Sequence, residues 1–166
     1  MHGKPLGAAL ARLGLAVVAW AALATPAQAQ APVPVKVTVT VAGQTQTLRG
    51  TGQCRHEPQG YLYGARAALW MAEYDGAAAG PRVSLTYWRP RAAGAEDQFQ
   101  LSVTRAGKSH VISTVKGARP AGKGRSSFRP TALGGRFEVN GTAQDGTSLQ
   151  ATIECARFGG IVAEGG

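Results

Sequence analysis

Residues 33 to 54 read VPVKVTVTVAGQTQTLRGTGQC, and this stretch decides the fold class. Valines occupy every second position from Val35 to Val41 and alternate with lysine and threonine. Successive side chains of a strand point to opposite faces of a sheet, so this period of two predicts a half-buried strand. Residues 42–44 supply a turn, and residues 45–54 return as the partner strand. The stretch therefore predicts a β-hairpin at the start of an antiparallel domain.

The same alternation returns further along the chain. Residues 82–88 form one such segment, residues 98–115 a hairpin, and residues 136–155 another hairpin around the turn dipeptide Asp145-Gly146. Residues 64–74, GARAALWMAEY, fit a helix by the spacing of their alanines and a strand by their aromatic residues. We favour a strand there, because the neighbouring segments are strands. The sequence predicts an all-β fold, an antiparallel two-sheet sandwich or flattened barrel of about seven strands.

The two cysteines of the chain, Cys54 and Cys155, both fall on the inward side of their predicted strands. Cys155 shares the parity of Leu149 and Ile153, and Cys54 shares that of Leu48. Glycines at positions 50 and 52 leave space beside Cys54. In an exported protein, two inward cysteines on separate strands predict a disulfide bond across the core.

The neighbourhood of Cys54 also allows two chemical alternatives. His56 is placed to act as the base for a thiolate nucleophile, and His56, Glu57 and His110 together could bind a metal ion. A second thiol is available for oxidation, however, and the paired spacings typical of zinc ligands are absent. We therefore predict no catalytic residues, no metal site, no cofactor and no enzymatic activity. We expect the two histidines, His56 and His110, to be isolated from each other and mostly exposed.

The N-terminus has the features of a secretory signal peptide in residues 1–29. A short basic start precedes an apolar run at residues 13–24 and the small-x-small triplet of residues 27–29. The apolar run is shorter than the roughly 20 residues that span a bilayer. We expect cleavage after Ala29, a periplasmic or secreted product, and a single domain over residues 30–166 without a transmembrane segment.

A glycine- and proline-rich segment lies at residues 116–130, KGARPAGKGRSSFRP. It shows neither the period of two of a strand nor the period of 3.6 of a helix, so it predicts a loop. The chain carries a formal net charge of +9, and this segment concentrates its cations. The predicted anion-binding residues are Lys116, Arg119, Lys123, Arg125 and Arg129, with Phe128 as a stacking or insertion surface. Anionic lipid or polysaccharide is the expected partner. Specific nucleic-acid binding is not expected, because no recognition helix or RNP-like aromatic pattern is visible. A loop that only improves solubility is the alternative.

The segment YWRPR, residues 87–91, places an outward Trp88 beside Arg89 and Arg91. Exposed tryptophan next to arginine is typical of protein-contact anchors and carbohydrate platforms, so these three residues are predicted interaction residues. A cation–π pair that caps the end of a strand is the alternative.

Three quoted segments carry a family resemblance: VKVTV at residues 35–39, TLRGTGQC at 47–54, and RFEVNGTA with SLQATIEC at 136–155. Together with the turn AGQ at residues 42–44 they resemble the LpqH-like family of mycobacterial lipoprotein antigens, over about a third of the mature chain, at both of its ends. The resemblance implies an envelope-associated β-domain with a disulfide between Cys54 and Cys155 and no known catalytic residues. The chain departs from the family because its first cysteine is Cys54, so no lipobox cysteine stands at the cleavage site.

These observations predict an exported, non-enzymatic cell-envelope or secreted binding module that engages anionic envelope polymers or lipids through the basic loop. The alternative is a structural or protein-interaction subunit of the envelope, which pairs through Trp88 or a free strand edge.

Overall fold

The computed structural model describes residues 31–76, 80–116 and 121–161. The predicted signal peptide, residues 1–29, lies outside this range. Among the described residues the strands are joined by turns and loops without any helix, and the all-β prediction is confirmed. The strands are β1 (Val33–Val41), β2 (Gln44–Leu62), β3 (Ala65–Asp75), β4 (Arg82–Pro90), β5 (Gln98–Arg105), β6 (Lys108–Ser113), β7 (Lys123–Pro130), β8 (Gly135–Thr142), β9 (Ser148–Cys155) and β10 (Gly159–Gly160).

The strands lie in the order β6-β5-β4-β3-β2-β1-β9-β8-β7, and every neighbouring pair in this path is antiparallel. The short β10 runs parallel to β2. The ambiguous segment of residues 64–74 is a strand, since β3 pairs with β2 on one side and β4 on the other. The predicted hairpins of residues 33–54, 98–115 and 136–155 are all present.

The turn between β1 and β2 shows why this hairpin closes with only two residues. Ala42 and Gly43 both have positive φ, 49° and 82°. Positive φ at both central positions is the signature of a type I′ turn, whose twist matches that of the flanking strands. The turn at Ala106 and Gly107 has the same pattern, with φ of 49° and 77°.

The sheet nearly closes into a barrel where its two ends, β6 and β7, approach each other. Ser113 and Ala121 exchange backbone hydrogen bonds, with N···O distances of 2.6 and 3.3 Å. The amide of Gln144 donates to the carbonyl of Val111 at 2.9 Å. These contacts bring the ends together, so the single sheet is nearly closed into a flattened barrel.

Strand β2 belongs to both halves of the barrel. Its residues up to Gly52 pair with β1, and its residues from Gln53 onward pair with β3. A register shift between Glu57 and Gly60 bends its second half. The first half therefore has a partner strand on one side only within the described residues.

The inward side chains fill the barrel with one apolar core. The alternate valines of β1 are at most 7 % exposed, as their period predicts. The largest fully buried side chains are Tyr87, Phe99, Phe137, Leu85, Leu101 and Ile112. Burial of this apolar surface is the main stabilising contribution to such a fold.

Cys54 and Cys155 form the predicted disulfide bond, with their Cα atoms 6.1 Å apart. The bond joins β9 to β2 past the intervening β1, and both residues are buried. The space predicted beside the bond is used by β3: a Cβ atom at Gly52 would collide with the carbonyl oxygen of Glu73. Glycine at this position allows the backbones of β2 and β3 to approach closely.

The prediction that residues 116–130 form a loop is wrong for residues 123–130, which are strand β7 paired along its length with β8. Its inward positions are Gly124, Ser126 and Phe128, so only one of them is apolar. A Cβ atom at Gly124 would lie 3.1 Å from Ile112 and 3.2 Å from Phe99. That glycine is therefore a packing residue at the barrel closure and not a sign of a loop. Within the rest of the segment, residues 117–120 lie outside the described residues.

Candidate anion-binding face

The strands β7, β8, β9 and β1 and the first half of β2 turn alternate side chains to solvent, and their registers align these side chains in rows. One row consists of Arg129, Arg136, Glu154, Lys36 and Arg49. It crosses five strands, a distance of about 19 Å at the usual strand spacing. Four of its five side chains are cationic, so the row concentrates positive charge along one line.

We call the outer surface of these five strands the basic face. Its charged side chains are six basic residues, Lys36, Arg49, Lys123, Arg125, Arg129 and Arg136, and two acidic residues, Glu138 and Glu154. Each of them occupies an outward position in the alternation of its strand.

Both carboxylates of the basic face are neutralised by neighbouring cations. Glu154 accepts hydrogen bonds from Lys36 at 3.2 Å and from Arg136 at 2.9 Å. Glu138 accepts one from Arg136 at 2.9 Å. In the described part of the chain, the other four cations, Lys123, Arg125, Arg129 and Arg49, make no salt bridge. The face therefore keeps a positive potential that is open to solvent.

Three of the five predicted anion-binding residues lie on this face. Lys123, Arg125 and Arg129 are exposed on β7. Lys116 is exposed beyond the end of β6, where its backbone amide donates to Gln98 Oε1 at 2.7 Å. Arg119 lies outside the described residues.

Sequence reasoning missed the contribution of Lys36, Arg49 and Arg136 to this face. The period of two already placed Lys36 and Arg49 on the outward side of their hairpin. Only the strand order shows that this hairpin lies beside β9 and β8 and continues the surface of β7.

The prediction that Phe128 offers a stacking or insertion surface is wrong. Its half-buried ring lies on the inward side of β7, away from the cations, with centroid distances of 4.6 Å to Phe137 and 4.8 Å to Trp70. Phe158 approaches the same ring at 6.0 Å. The alternation of β7 directs Phe128 inward and the cations outward, so the basic face has no aromatic side chain from this strand.

The predicted interaction residues Trp88, Arg89 and Arg91 do not form one surface. Trp88 is half-buried on the outside of β4, and its neighbour Arg89 points to the opposite face because strand side chains alternate. Arg91 follows the end of β4 and donates from Nη2 to the carbonyl of Pro58 at 2.7 Å. The three residues therefore have separate structural environments.

The guanidinium group of Arg89 lies over three aromatic rings at one end of the barrel. Its guanidinium carbon lies 5.8 Å from the ring centroids of Trp70 and Tyr87 and 5.9 Å from that of Phe128. These distances are typical of cation–π contacts. The cation–π alternative for this arginine is therefore correct, with inward rings as its partners in place of Trp88.

Asp97 holds this arginine in position. Arg89 donates to its two carboxylate oxygens from Nε at 3.1 and 3.2 Å and from Nη2 at 2.8 Å, and Tyr87 donates its hydroxyl to the same carboxylate. Burial acts to raise the pKa of Asp97, but these hydrogen bonds outweigh it and hold the pKa below its ordinary value. Burial, and then the hydrogen bond to Asp97, raise the pKa of Tyr87.

The two histidines have separate partners. The ring of His56 stacks on Trp70 with centroids 4.4 Å apart, and its Nδ1 lies 2.9 Å from the carbonyl of Leu69. His110 is 7 % exposed, so the prediction of an exposed side chain is wrong for it, and its Nδ1 lies 3.0 Å from Asp145. No group of three His, Cys, Asp or Glu side chains among the described residues is arranged to hold a metal ion.

A shallow cavity of about 380 Å³ lies on the basic face beside the cationic row. Its lining includes Arg125, Asn140, Gln150, Thr40 and Thr152. A second cavity of about 550 Å³ lies at the row itself, against Lys36, Arg49 and Arg136. The basic face is thus concave in two places, and both concavities contain cations.

No family model, curated protein or solved structure matches the chain. The described part of the chain contains no helix that could cross a membrane.

Proposed function

We propose that this protein is an exported, non-enzymatic binding module of the cell envelope or the secreted fraction, and that its basic face binds anionic polymers. One observation carries the proposal. Four of the six cations on the face have no salt bridge within the described residues, while both carboxylates there are already neutralised. Like charges held together without counter-charges are the usual basis for polyanion binding.

A polymer fits this face better than a lipid layer. Insertion into a lipid layer needs several exposed apolar side chains together, whereas the outward positions of β7, β8 and β9 are all polar or charged and Leu133 is a single exposed apolar side chain in the turn after β7. The cationic row is about 19 Å long, which matches an extended chain that carries repeated charges. The envelope location is supported by the signal-like segment at residues 1–29 and by the resemblance to the LpqH-like antigens.

Salt dependence tests this proposal with long-chain polyphosphate as the probe. Neutralisation of about four charges predicts that affinity falls roughly 50-fold between about 50 and about 200 mM salt. The triple variant Lys123→Gln, Arg125→Gln, Arg129→Gln should reduce this loss to about threefold. Isothermal titration calorimetry at the two salt concentrations provides the measurement.

A matched control removes three cations from other strands. Arg66, Arg82 and Arg105 lie on β3, β4 and β5, outside the basic face. The triple Gln variant at these positions carries the same net charge as the first variant and should retain most of the salt dependence. Equal losses in both variants would mean that net charge alone attracts the polymer, and the proposal would fail. Vesicles of anionic phospholipid that bind as tightly as the polymer would contradict the preference for polymers.

A second candidate function, protein interaction through a strand edge, is favoured by the first half of β2. Residues Gln44–Arg49 have a partner strand on one side only within the described residues. The β7 edge carries several cations, and the β6 edge is bridged to Ala121 and Gln144. The stretch from Gln44 to Leu48 carries no charge, so antiparallel pairing with a second copy of the chain meets no repulsion there.

Sedimentation velocity over a range of concentrations tests this second candidate. Because the edge is short, the expected dimer is weak. The double variant Thr45→Lys, Thr47→Lys should abolish it. The control Thr38→Lys, Thr40→Lys adds the same charge to the neighbouring strand β1, away from the edge, and should leave it intact. A wild-type chain that stays monomeric at all concentrations would exclude this function.

A further inference from the structure

The cavity of about 380 Å³ on the basic face has a different chemistry from the cationic row beside it. Two rows of side chains cross it. The first consists of Arg125, Asn140, Gln150, Thr40 and Thr45, and the second of Ser127, Glu138, Thr152, Thr38 and Thr47. Eight of these ten side chains are uncharged hydroxyls or amides, and six of the eight line the cavity, with the cation Arg125 at one end.

The amides of Asn140 and Gln150 are neighbours on paired strands, and both are exposed. Neither makes a side-chain hydrogen bond to another part of the described chain. Each amide offers two donors and one acceptor oxygen. Together they form a platform that can both donate to and accept from the hydroxyl groups of a ligand.

The threonines beside this platform extend it across β1 and β2. Thr40 and Thr45 share a hydrogen bond of 2.7 Å between their hydroxyl oxygens, and Thr38 and Thr47 share one of 3.2 Å. A hydroxyl oxygen can take part in more than one hydrogen bond, so these pairs keep the capacity to contact a ligand. Their mutual bonds hold the four side chains in one orientation.

Charge density distinguishes the possible ligands. A polyphosphate carries a charge on every unit and requires cations along its whole path, which the cationic row supplies and the cavity does not. A polyuronate presents two free hydroxyls beside each carboxylate, whereas a polyphosphate chain presents none. A ligand with both hydroxyls and carboxylates fits the cavity, where Arg125 accompanies six outward hydroxyls and amides and the carboxylate of Glu138 is already paired with Arg136.

We propose that the ligand of the basic face is an acidic polysaccharide of the polyuronate type, whose sugar hydroxyls bind the amides of Asn140 and Gln150 while its carboxylates contact Arg125 and the cationic row. This inference rests on the proposed function, because it identifies the polymer class that the same face selects.

The experiment compares two probes, polygalacturonate and long-chain polyphosphate, on the double variant Asn140→Ala, Gln150→Ala. Removal of the two amides should weaken polygalacturonate binding about tenfold and leave polyphosphate binding within about twofold. The triple variant Lys123→Gln, Arg125→Gln, Arg129→Gln should weaken both probes. Both altered amides are exposed, and an unchanged thermal midpoint establishes that the double variant is folded.

The double variant Thr86→Ala, Gln100→Ala is the matched control. These residues are cross-strand neighbours on the outside of β4 and β5, away from the basic face, and their loss should not change binding of either probe. Equal effects of the amide variant on both probes, or no effect on polygalacturonate, would overturn the polysaccharide assignment and leave the proposed function in place. Absence of salt-sensitive binding to both probes would overturn the proposed function itself.

Discussion

Arg89 and Asp97 form an ion pair that lies across the aromatic end of the barrel, with Nη2 and Oδ2 2.8 Å apart. Trp70 and Phe128 lie under the guanidinium group, so the pair connects strand β4 to rings from β3 and β7. An ion pair with this many additional contacts stabilises a fold more than an isolated surface pair does.

Replacement of Asp97 by Asn should destabilise the protein by about 1 to 2 kcal/mol, because Arg89 and Tyr87 lose a charged acceptor. Partial exposure of the pair to solvent weakens the ionic contribution and keeps the expected loss in this range. Urea denaturation at neutral pH measures the loss. Asp75→Asn removes an exposed carboxylate that has no hydrogen bond or salt bridge within the described residues and serves as the control. A loss of the same size in both variants would contradict a special role for the Arg89 pair.

The same carboxylate makes stability depend on pH in the acid range. The pKa of Asp97 is lowered in the folded state from its ordinary value of 3.8, so the unfolded chain binds its proton at higher pH. The stabilisation is therefore complete above the unfolded pKa and is lost as pH falls through the lower folded pKa. Denaturation midpoints between about pH 6 and about pH 2.5 should decline less steeply in the Asn variant than in the wild type. Parallel curves for the two proteins would exclude this contribution.

Removal of the disulfide by Cys54→Ala, Cys155→Ala should be the most destabilising of these changes. The bond closes a loop with a sequence separation of 101 residues. For a loop of this length the chain-entropy model gives about 4.7 kcal/mol, a large part of the typical stability of a domain. Chemical denaturation of the variant beside the oxidised wild type measures the difference. A change below about 1 kcal/mol would show that the bond does not constrain the unfolded chain in this way.

The stability of the Phe128→Ala variant tests whether residues 123–130 pack as a strand in solution. In a mobile basic loop, Phe128→Ala would be nearly neutral. In strand β7 the ring stacks on Phe137 at 4.6 Å, and we expect a loss of about 2 to 3 kcal/mol for this partly buried side chain. Leu133, which is 74 % exposed, is the control, and Leu133→Ala should change stability by less than about 0.5 kcal/mol. Equal small effects would mean that β7 does not pack against the core.

Gly52 should not tolerate even a methyl group. Its Cβ would collide with the backbone of β3 at Glu73, which cannot move aside as a flexible side chain can. Gly52→Ala is expected to cost about 2 kcal/mol. Gly60, on the same strand, is the control, since the nearest contact of its Cβ is an ordinary 3.4 Å. Thermal unfolding of the two variants should separate them clearly, and equal midpoints would contradict the close approach of β2 and β3.

The features of the fold that depend on local periodicity were predictable from the sequence. The valines of β1 alternate without interruption, and the parities of Cys54 and Cys155 predicted the bond that the structure contains. The segment of residues 64–74 was ambiguous because its alanines suit either structure, and its neighbouring strands decided the outcome.

Features that depend on distant contacts were not predictable. Strand β7 has one apolar inward residue, Phe128, and a side chain at its Gly124 would crowd Phe99 and Ile112, which the local pattern of β7 does not reveal. The candidate site has the same limitation. Its cationic row forms because β1 lies between β2 and β9, and no local pattern states which strands become neighbours.

Because β1 pairs with β9, the first hairpin, β1–β2, completes its pairing only when the last hairpin, β8–β9, is present. Val35 lies opposite Cys155, so one edge of the valine-rich strand β1 has no partner strand until nearly the whole described chain has been synthesised. Contacts between residues so distant in sequence make folding slow. A protein with this connectivity completes its core only when both hairpins are in place, and the bond between Cys54 and Cys155 ties the first hairpin to the last.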